Sequence, residues 1–182
     1  MHEEIIIAGF GGQGVLFAGQ LLAHAGMNEG RHVTWIPSYG PEMRGGTANC
    51  TTIISDDEIG APVVHHPSTV IALNPPSMDK YAPLVKPRGL LIVDASLITQ
   101  RSGRSDIHEI AIPAKDIAAD VGLPKAANVV AIGALIAATG IVQFETVIEL
   151  LTRKFGQRSP DVLVANKRAL RLGADYVIKM PA

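Results

Sequence analysis

The sequence is poor in cysteine, in long apolar segments and in clustered positive charge. Cys50 is the single cysteine, so the chain can form no internal disulfide and cannot supply the roughly four thiolates that hold an iron–sulfur cluster. No segment reaches the ~18 uninterrupted apolar residues of a membrane span. The net charge is −1 and no basic run exceeds two residues, so we expect neither a membrane nor a nucleic acid as a partner.

Charged residues are also scarce, at 18 % against roughly 25 % in an average soluble domain. A surface with few charges suggests that a partner covers part of it, although a large core produces the same composition. The chain opens with MHEEIII, which lacks the zones of a signal peptide. With one cysteine, this opening predicts a cytoplasmic location.

What is present is an alternation of short apolar strands and helical patterns. The predicted strands cover residues 4–8, 33–36, 48–54, 70–73, 90–93 and 110–112, and the predicted helices cover 13–29, 75–85, 115–121, 129–139, 143–155 and 161–172. This order predicts a single α/β domain over residues 1–182, with a Rossmann-like, mostly parallel sheet and helices on both faces. Pro37 is expected to close the second strand, and Asn128 to cap the helix that follows it.

The first loop carries a glycine motif. Gly9, Gly11 and Gly14 satisfy G-x-G-x-x-G between a strand and a helix, where backbone N–H groups can bind a phosphate. Gly12 and Gln13 make the turn richer in glycine and polar groups than packing alone requires, which favours an anion-binding role. A tight turn without any ligand is the alternative.

The second half of a dinucleotide site is missing. An NAD-binding fold needs an acidic residue at the end of its second strand, and the stretch RHVTWIPS contains none. This counts against a free-standing NAD(P)-dependent enzyme without excluding one.

A second candidate stretch is SYGPEMRGG, residues 38–46, expected to be a loop at the same sheet edge. Ser38 and Tyr39 contribute hydroxyl groups, and Arg44 has a planar guanidinium that suits a carboxylate or phosphate. Contact with another subunit explains this loop equally well. Asn74 ends a strand at the same edge, whereas Asp94 is interpreted as a turn cap and Cys50 as an inert core residue. No catalytic residue set and no metal site is visible.

Three segments together resemble a known family. AGFGGQG, SYGPEMRGG and NVVAIGALIAATGIV, the last followed by an amphipathic helix, are similar to the gamma subunit of 2-oxoacid:ferredoxin (or other acceptor) oxidoreductases. The similarity runs over nearly the whole chain, and the length favours the separately encoded subunit of the 2-oxoglutarate type. Pyruvate and branched-chain oxoacids remain alternatives.

The resemblance implies an accessory subunit, inactive alone, of a complex that forms acyl-coenzyme A. Thiamine diphosphate would lie on the alpha and beta subunits, and iron–sulfur clusters on beta or delta parts. The family's gamma subunit is associated with coenzyme A, whose diphosphate an anion-binding turn could hold. Self-association of the isolated chain stays open, as does a purely structural module. The candidate residues for contact with coenzyme A or a partner are Gly9, Gly11, Gly12, Gln13, Gly14, Ser38, Tyr39, Arg44 and Asn74.

Overall fold

A computed structural model describes residues 1–39, 47–157 and 159–180. The strands are β1 (His2–Phe10), β2 (His32–Tyr39), β3 (Thr47–Ser55), β4 (Thr69–Ala72), β5 (Leu90–Asp94) and β6 (His108–Ile112). The helices are α1 (Val15–Asn28), α2 (Pro75–Tyr81), α3 (Ala114–Asp120), α4 (Ala127–Thr139), α5 (Phe144–Phe155) and α6 (Pro160–Ile178). Short 3-10 turns follow α2 at Ala82–Leu84 and precede α4 at Pro124–Ala126.

The strands form one sheet in the order β2-β3-β1-β4-β5-β6. β1, β4, β5 and β6 are parallel, and β3 is antiparallel to both β1 and β2, so β2 runs in the same direction as β1. The predicted mostly parallel sheet is confirmed. The ends of β1, β2, β4 and β5 therefore meet at one side of the sheet, which we call the carboxyl edge.

The two faces of the sheet are covered unequally. Ile5 and Ile7 of β1 point to the larger core, which the helices α1 and α3 to α6 complete. Ile6 points to the smaller core, where Met78 and Tyr81 of α2 cover β1, β4 and β5. Both faces of β1 are buried, which explains its continuous apolar run and confirms helices on both faces.

The helices α4 and α6 cross at unusually close range because each contributes a glycine. A Cβ atom on Gly133 would lie 2.0 Å from the carbonyl oxygen of Leu170, and one on Gly173 would lie 1.9 Å from that of Val130. No side chain fits at either position without moving the backbone. Among the described residues, no helix is both long and apolar enough to cross a membrane.

Two local expectations are wrong. β2 continues through Pro37 to include Ser38 and Tyr39, which were expected to lie in a loop. Proline lacks a backbone N–H, but β2 is the outer strand of the sheet, where a missing donor is tolerated. Asn128 is not a helix cap, because the preceding 3-10 turn leads directly into α4 and Ala126 takes the cap position.

The prediction for Cys50 is confirmed, since it is fully buried in β3 behind α1. Its Sγ donates to the carbonyl of Val15 at 3.4 Å. Burial raises the pKa of the Cys50 thiol to about 11, so the sulfur stays protonated near neutral pH. A protonated, enclosed thiol is neither a nucleophile nor a metal ligand.

Candidate functional site at the carboxyl edge

The loop between β1 and α1, which we call the glycine turn (residues 9–14), is held by the side chain of Gln13. The Gln13 Oε1 accepts a hydrogen bond of 2.6 Å from the N–H of Phe10, and its Nε2 donates one of 2.9 Å to the carbonyl of Leu73. A Cβ on Gly9 would lie 2.6 Å from that Oε1. The Gln13 amide therefore ties the end of β1 to the end of β4, and Gly9 makes room for it.

The last glycine of the motif packs against another helix. Gly14 has φ 72°, a left-handed conformation that favours glycine, and it occupies the cap position of α1. Its carbonyl accepts a 2.9 Å hydrogen bond from Nδ2 of Asn128, at the start of α4. A Cβ on Gly14 would lie 2.4 Å from the same nitrogen. Both backbone conformation and lack of space therefore require glycine here.

The middle of the glycine turn is open. Gly12 is exposed, has φ 101°, and a Cβ placed on it would meet no heavy atom within 4 Å. Gly11 beside it is half-buried. We call Gly11 and Gly12 the outer side of the turn, and Gly9, Gln13 and Gly14 its inner side. Only the outer side leaves space for a ligand or a partner chain to approach the backbone.

The start of α1 adds a favourable field for an anion. The first regular helical hydrogen bond runs from the N–H of Ala18 to the carbonyl of Gly14, at 2.9 Å. The N–H groups before Ala18 in the first turn therefore have no acceptor within the helix. The 14-residue helix carries no acidic residue in this turn. Its N-terminal partial positive charge, equivalent to about half an elementary charge, is therefore not offset locally.

Asn74 caps the helix that follows it, α2. It is 0 % exposed, and its Oδ1 accepts a 2.8 Å hydrogen bond from the N–H of Ser77 at the start of α2. Its Nδ2 and the Ser77 Oγ have no hydrogen-bond partner among the described residues. Asn74 lies beside the glycine turn, because Gln13 of that turn is bonded to the preceding residue, Leu73. The Asn74 side chain is nevertheless buried below the surface that a ligand would contact.

Asp94 ends β5 at the same edge and is almost completely buried. Its Oδ1 accepts hydrogen bonds from the N–H groups of Ser96, at 3.1 Å, and Lys115, at 3.2 Å, so it joins β5 to the start of α3. Burial raises the pKa of the Asp94 carboxyl, against the lowering effect of these hydrogen bonds. The predicted role as a turn cap is confirmed.

The remaining candidates lie apart from the glycine turn or outside the described part of the chain. Ser38 is exposed near the end of β2, and β3 separates it from β1. Neighbouring strands are about 4.8 Å apart, so β2 lies roughly 10 Å from β1. Tyr39 is the last residue of β2. Arg44 lies in residues 40–46, outside the described residues.

The strand order gives a physical reason for the missing ribose carboxylate. In the dinucleotide fold the second strand lies directly beside the first and runs parallel to it. Here β3 occupies that place and runs in the opposite direction, with Thr47 opposite Phe10. The residues next to the glycine turn on this side thus belong to the beginning of a strand. Within the described ranges, no group of three or more His, Cys, Asp or Glu residues could hold a metal ion.

Asn128 is the residue of this edge that the sequence interpretation missed. The sequence interpretation assigned Asn128 as the cap of its own helix. In the structure its Nδ2 donates instead to the carbonyl of Gly14, which lies 114 residues earlier. No local pattern indicates a bond over that distance. A related signal was Gly14, since a position that requires glycine has a close neighbour. The motif does not indicate which residue that neighbour is.

Comparison with known proteins gives a consistent assignment. A family model described as pyruvate ferredoxin/flavodoxin oxidoreductase matches residues 4–176. The 2-oxoglutarate synthase subunit KorC of Methanothermobacter marburgensis is 38 % identical over 186 residues, covering 98 % of each protein. The ketoisovalerate oxidoreductase subunit VorA of Methanothermobacter thermautotrophicus is 39 % identical over 95 % of this chain. The chain spans only 36 % of that relative's length.

Two solved structures have the same fold. The gamma subunit of a keto/oxoacid ferredoxin oxidoreductase from Geobacter sulfurreducens superimposes with a TM-score of 0.84 at 30 % identity, covering 98 % of this chain and 99 % of that one. The 2-oxoglutarate:ferredoxin oxidoreductase of Magnetococcus marinus, solved with 2-oxoglutarate, coenzyme A and succinyl-CoA, gives a TM-score of 0.91 at 23 % identity. It covers 99 % of this chain and 32 % of that longer one. These matches confirm the family resemblance inferred from the sequence motifs.

Proposed function

The chain belongs to the pyruvate ferredoxin/flavodoxin oxidoreductase family, and on that premise we propose that it is the gamma-type subunit of a multi-subunit 2-oxoacid oxidoreductase. In this proposal the complex oxidatively decarboxylates a 2-oxoacid and transfers the acyl group to coenzyme A. Alpha and beta subunits, with or without a delta subunit, hold the thiamine diphosphate and the iron–sulfur clusters. This chain supports assembly and works in the cytoplasm.

The observation that carries the proposal is an end-to-end correspondence with proteins that are named subunits. The KorC relative and the Geobacter gamma subunit are each covered over almost their full length. The chemistry of the chain agrees with this role. Its single cysteine is buried and protonated, so the chain has no thiolates for an iron–sulfur cluster.

The test is purification of the tagged, full-length chain from its native host, with identification of the proteins that remain attached. We expect companion subunits to co-purify, and the complex to reduce methyl viologen only when a 2-oxoacid and coenzyme A are both present. The chain purified alone from a heterologous host should have no such activity. Turnover by the isolated chain would contradict the proposal.

We assign 2-oxoglutarate as the substrate of the complex. The relative named for 2-oxoglutarate matches from end to end at 38 % identity, whereas the pyruvate synthase subunit PorC of Thermotoga maritima matches over a similar share at 31 % identity. The relative named for ketoisovalerate is nearly three times as long as the part matched. Values of kcat/KM for 2-oxoglutarate, pyruvate and ketoisovalerate, measured on the same native complex, decide between them. A higher value for pyruvate or ketoisovalerate would contradict this assignment.

The outer side of the glycine turn fits the diphosphate of coenzyme A. Gly12 leaves its backbone accessible, and the start of α1 contributes a positive field without an acidic neighbour. Gln13 and Asn74 contribute indirectly, since the first is bonded within the turn and the second is buried. Direct contacts therefore come from the backbone of Gly11 and Gly12 and the first turn of α1.

Two matched variants of Gly12 test this contact. Gly12→Asn and Gly12→Asp add side chains of nearly equal size, and both residue types tolerate a positive φ better than most. Only aspartate adds a negative charge. In the assembled complex we expect Gly12→Asp to raise the KM for coenzyme A at least about tenfold more than Gly12→Asn, with the KM for the 2-oxoacid unchanged.

The same pair separates coenzyme A binding from subunit contact. If Gly12→Asp abolishes co-purification of the partner subunits, the turn serves as a docking surface and the coenzyme A assignment is wrong. Equal KM values for coenzyme A in the two variants would also refute it. Neither result would affect the assignment of the chain as a gamma-type subunit.

A further inference from the structure

A cleft lies at the opposite edge of the sheet, where β1, β4, β5 and β6 begin. Its volume is about 490 Å³, within the range of small-molecule sites. Charged or polar residues Glu3, Arg88 and His108 and apolar residues Leu90, Ala138 and Val177 line it. The cleft opens on the face that carries α4 and α6, at the opposite edge of the sheet from the glycine turn. A ligand bound here is therefore not the coenzyme A diphosphate proposed for that turn.

Arg88 reaches this cleft from a strained backbone position. Its φ is 65°, and it is the only residue other than glycine with a positive φ in the described part of the chain. The N–H of Gly89 donates to the carbonyl of Lys86 at 2.8 Å, with Pro87 between, which is the pattern of a type II turn. The third position of such a turn favours glycine, so the fold retains an arginine where glycine would be more stable. Strain of this kind is concentrated at functional sites.

The charges that line the cleft do not neutralise each other. The Glu3 carboxylate accepts hydrogen bonds from the hydroxyl groups of Ser68, at 2.6 Å, and Thr69, at 3.3 Å, which fix it against β4. Arg88 stands just before β5, the strand next to β4. No ion pair joins Glu3 to Arg88, and no other described residue pairs with the Arg88 guanidinium, which is exposed. A fixed anion and an unpaired cation thus face the same space.

The end of α4 strengthens the negative part of the cleft. Its C-terminus borders the cleft at Ala138, and α4 has no basic residue in its last turn. Terminal carbonyl groups carry a partial negative charge and accept hydrogen bonds. Together with Glu3 they suit an ammonium group, whereas Arg88 suits a carboxylate. Leu90 and Val177 add apolar surface between these groups.

From this arrangement we propose that the cleft at the amino edge binds a small zwitterionic α-amino acid with an apolar side chain. Arg88 binds the carboxylate of the ligand, and Glu3 with the carbonyls at the end of α4 binds its ammonium group. The side chain of the ligand packs on Leu90, Ala138 and Val177. This site is independent of the proposed role in 2-oxoacid oxidation.

L-Leucine is the probe, titrated into the full-length chain by calorimetry and followed separately by thermal unfolding. We expect saturable binding and a rise in Tm. Leucinamide lacks the carboxylate and 4-methylpentanoate lacks the ammonium group, so each should bind at least about tenfold more weakly. Equal affinity for L-leucine and either analogue, or no saturable binding at about 10 mM, would overturn the proposal.

Arg88→Gly separates binding from folding. Glycine relieves the positive φ, so the free variant should unfold at a Tm no lower than that of the wild type. Its affinity for L-leucine should fall at least about tenfold, because the guanidinium is lost. Glu3→Gln keeps an acceptor for Ser68 and removes the charge, and it should weaken L-leucine while leaving 4-methylpentanoate unaffected. Binding of L-leucine by Arg88→Gly within about threefold of wild type would overturn the proposed contact between Arg88 and the ligand carboxylate.

Discussion

The inner and outer sides of the glycine turn obey different constraints although they belong to one sequence motif. On the inner side, Gly14 is pressed against Asn128 and Gly9 against the Gln13 amide, with no space for a Cβ at either glycine. On the outer side, a Cβ on Gly12 would enter open space. The same pattern of glycines therefore combines packing with access. A G-x-G-x-x-G match by itself does not distinguish the residues that serve each purpose.

The largest expected difference separates Gly14→Ala from Gly12→Ala. Both place a Cβ at a positive φ, which costs about 1–2 kcal/mol. Only Gly14→Ala also collides with Asn128, at 2.4 Å, so we expect it to lower the free energy of unfolding by about 3 kcal/mol in total. Urea denaturation of the two variants measures the difference. Equal losses would mean that the inner side is not packed as described.

A double-mutant cycle identifies the source of that loss. Asn128→Ala removes both the hydrogen bond to the Gly14 carbonyl and the obstacle to a Cβ at Gly14. Gly14→Ala should then be less damaging in the Asn128→Ala background, with a coupling of about 1–2 kcal/mol. Additive effects in denaturation would assign the whole loss to the backbone conformation of Gly14.

Gln13→Ala should have a somewhat smaller effect. It removes the hydrogen bonds to the N–H of Phe10 and the carbonyl of Leu73, and we expect a loss of about 1–2 kcal/mol. Gln13→Glu keeps the acceptor for Phe10 but places a carboxylate oxygen opposite the Leu73 carbonyl, so it should be at least as destabilising. A Gln13→Ala variant as stable as the wild type would show that these two hydrogen bonds do not stabilise the inner side of the turn.

The smallest effect concerns Asp94, and it appears only as a dependence on pH. Burial raises the pKa of the folded carboxyl above that of the unfolded chain, which is about 3.9. The stabilisation from protonated Asp94 is therefore complete below about pH 4 and is lost as the pH rises through the folded pKa.

Asp94→Asn keeps the oxygen that accepts from Ser96 and Lys115 and stays neutral at every pH. Its stability relative to the wild type should increase from acid to neutral pH in denaturation series. A difference that does not change with pH would show that the Asp94 carboxyl is not destabilised by burial.

The sequence was sufficient where the signal is local. The continuous apolar run Ile5–Ile7 predicted a buried strand, and the structure covers both faces of β1. The reversal of β3 was not predicted, since antiparallel pairing depends on which strands meet and not on their composition. Pro37 was misplaced for the same reason, because only the sheet order shows that β2 is an edge strand.

The site was predictable in position and less so in detail. The carboxyl edge does gather the glycine turn, Asn74 and Asp94, as parallel strands require. The engagement of Gln13 with Leu73 and of Asn128 with Gly14 depends on contacts across 60 and 114 residues. Such contacts arise from tertiary packing, for which a single sequence contains no direct signal.

The bond between Asn128 and Gly14 has an electrostatic consequence for the whole edge. It holds the first residues of α1 and α4 side by side, so two helix dipoles of similar length point their positive ends at one place. Two such ends repel each other in isolation. An anion bound on the outer side of the glycine turn, beside both helix starts, would offset this repulsion and so stabilise the junction of the two helices.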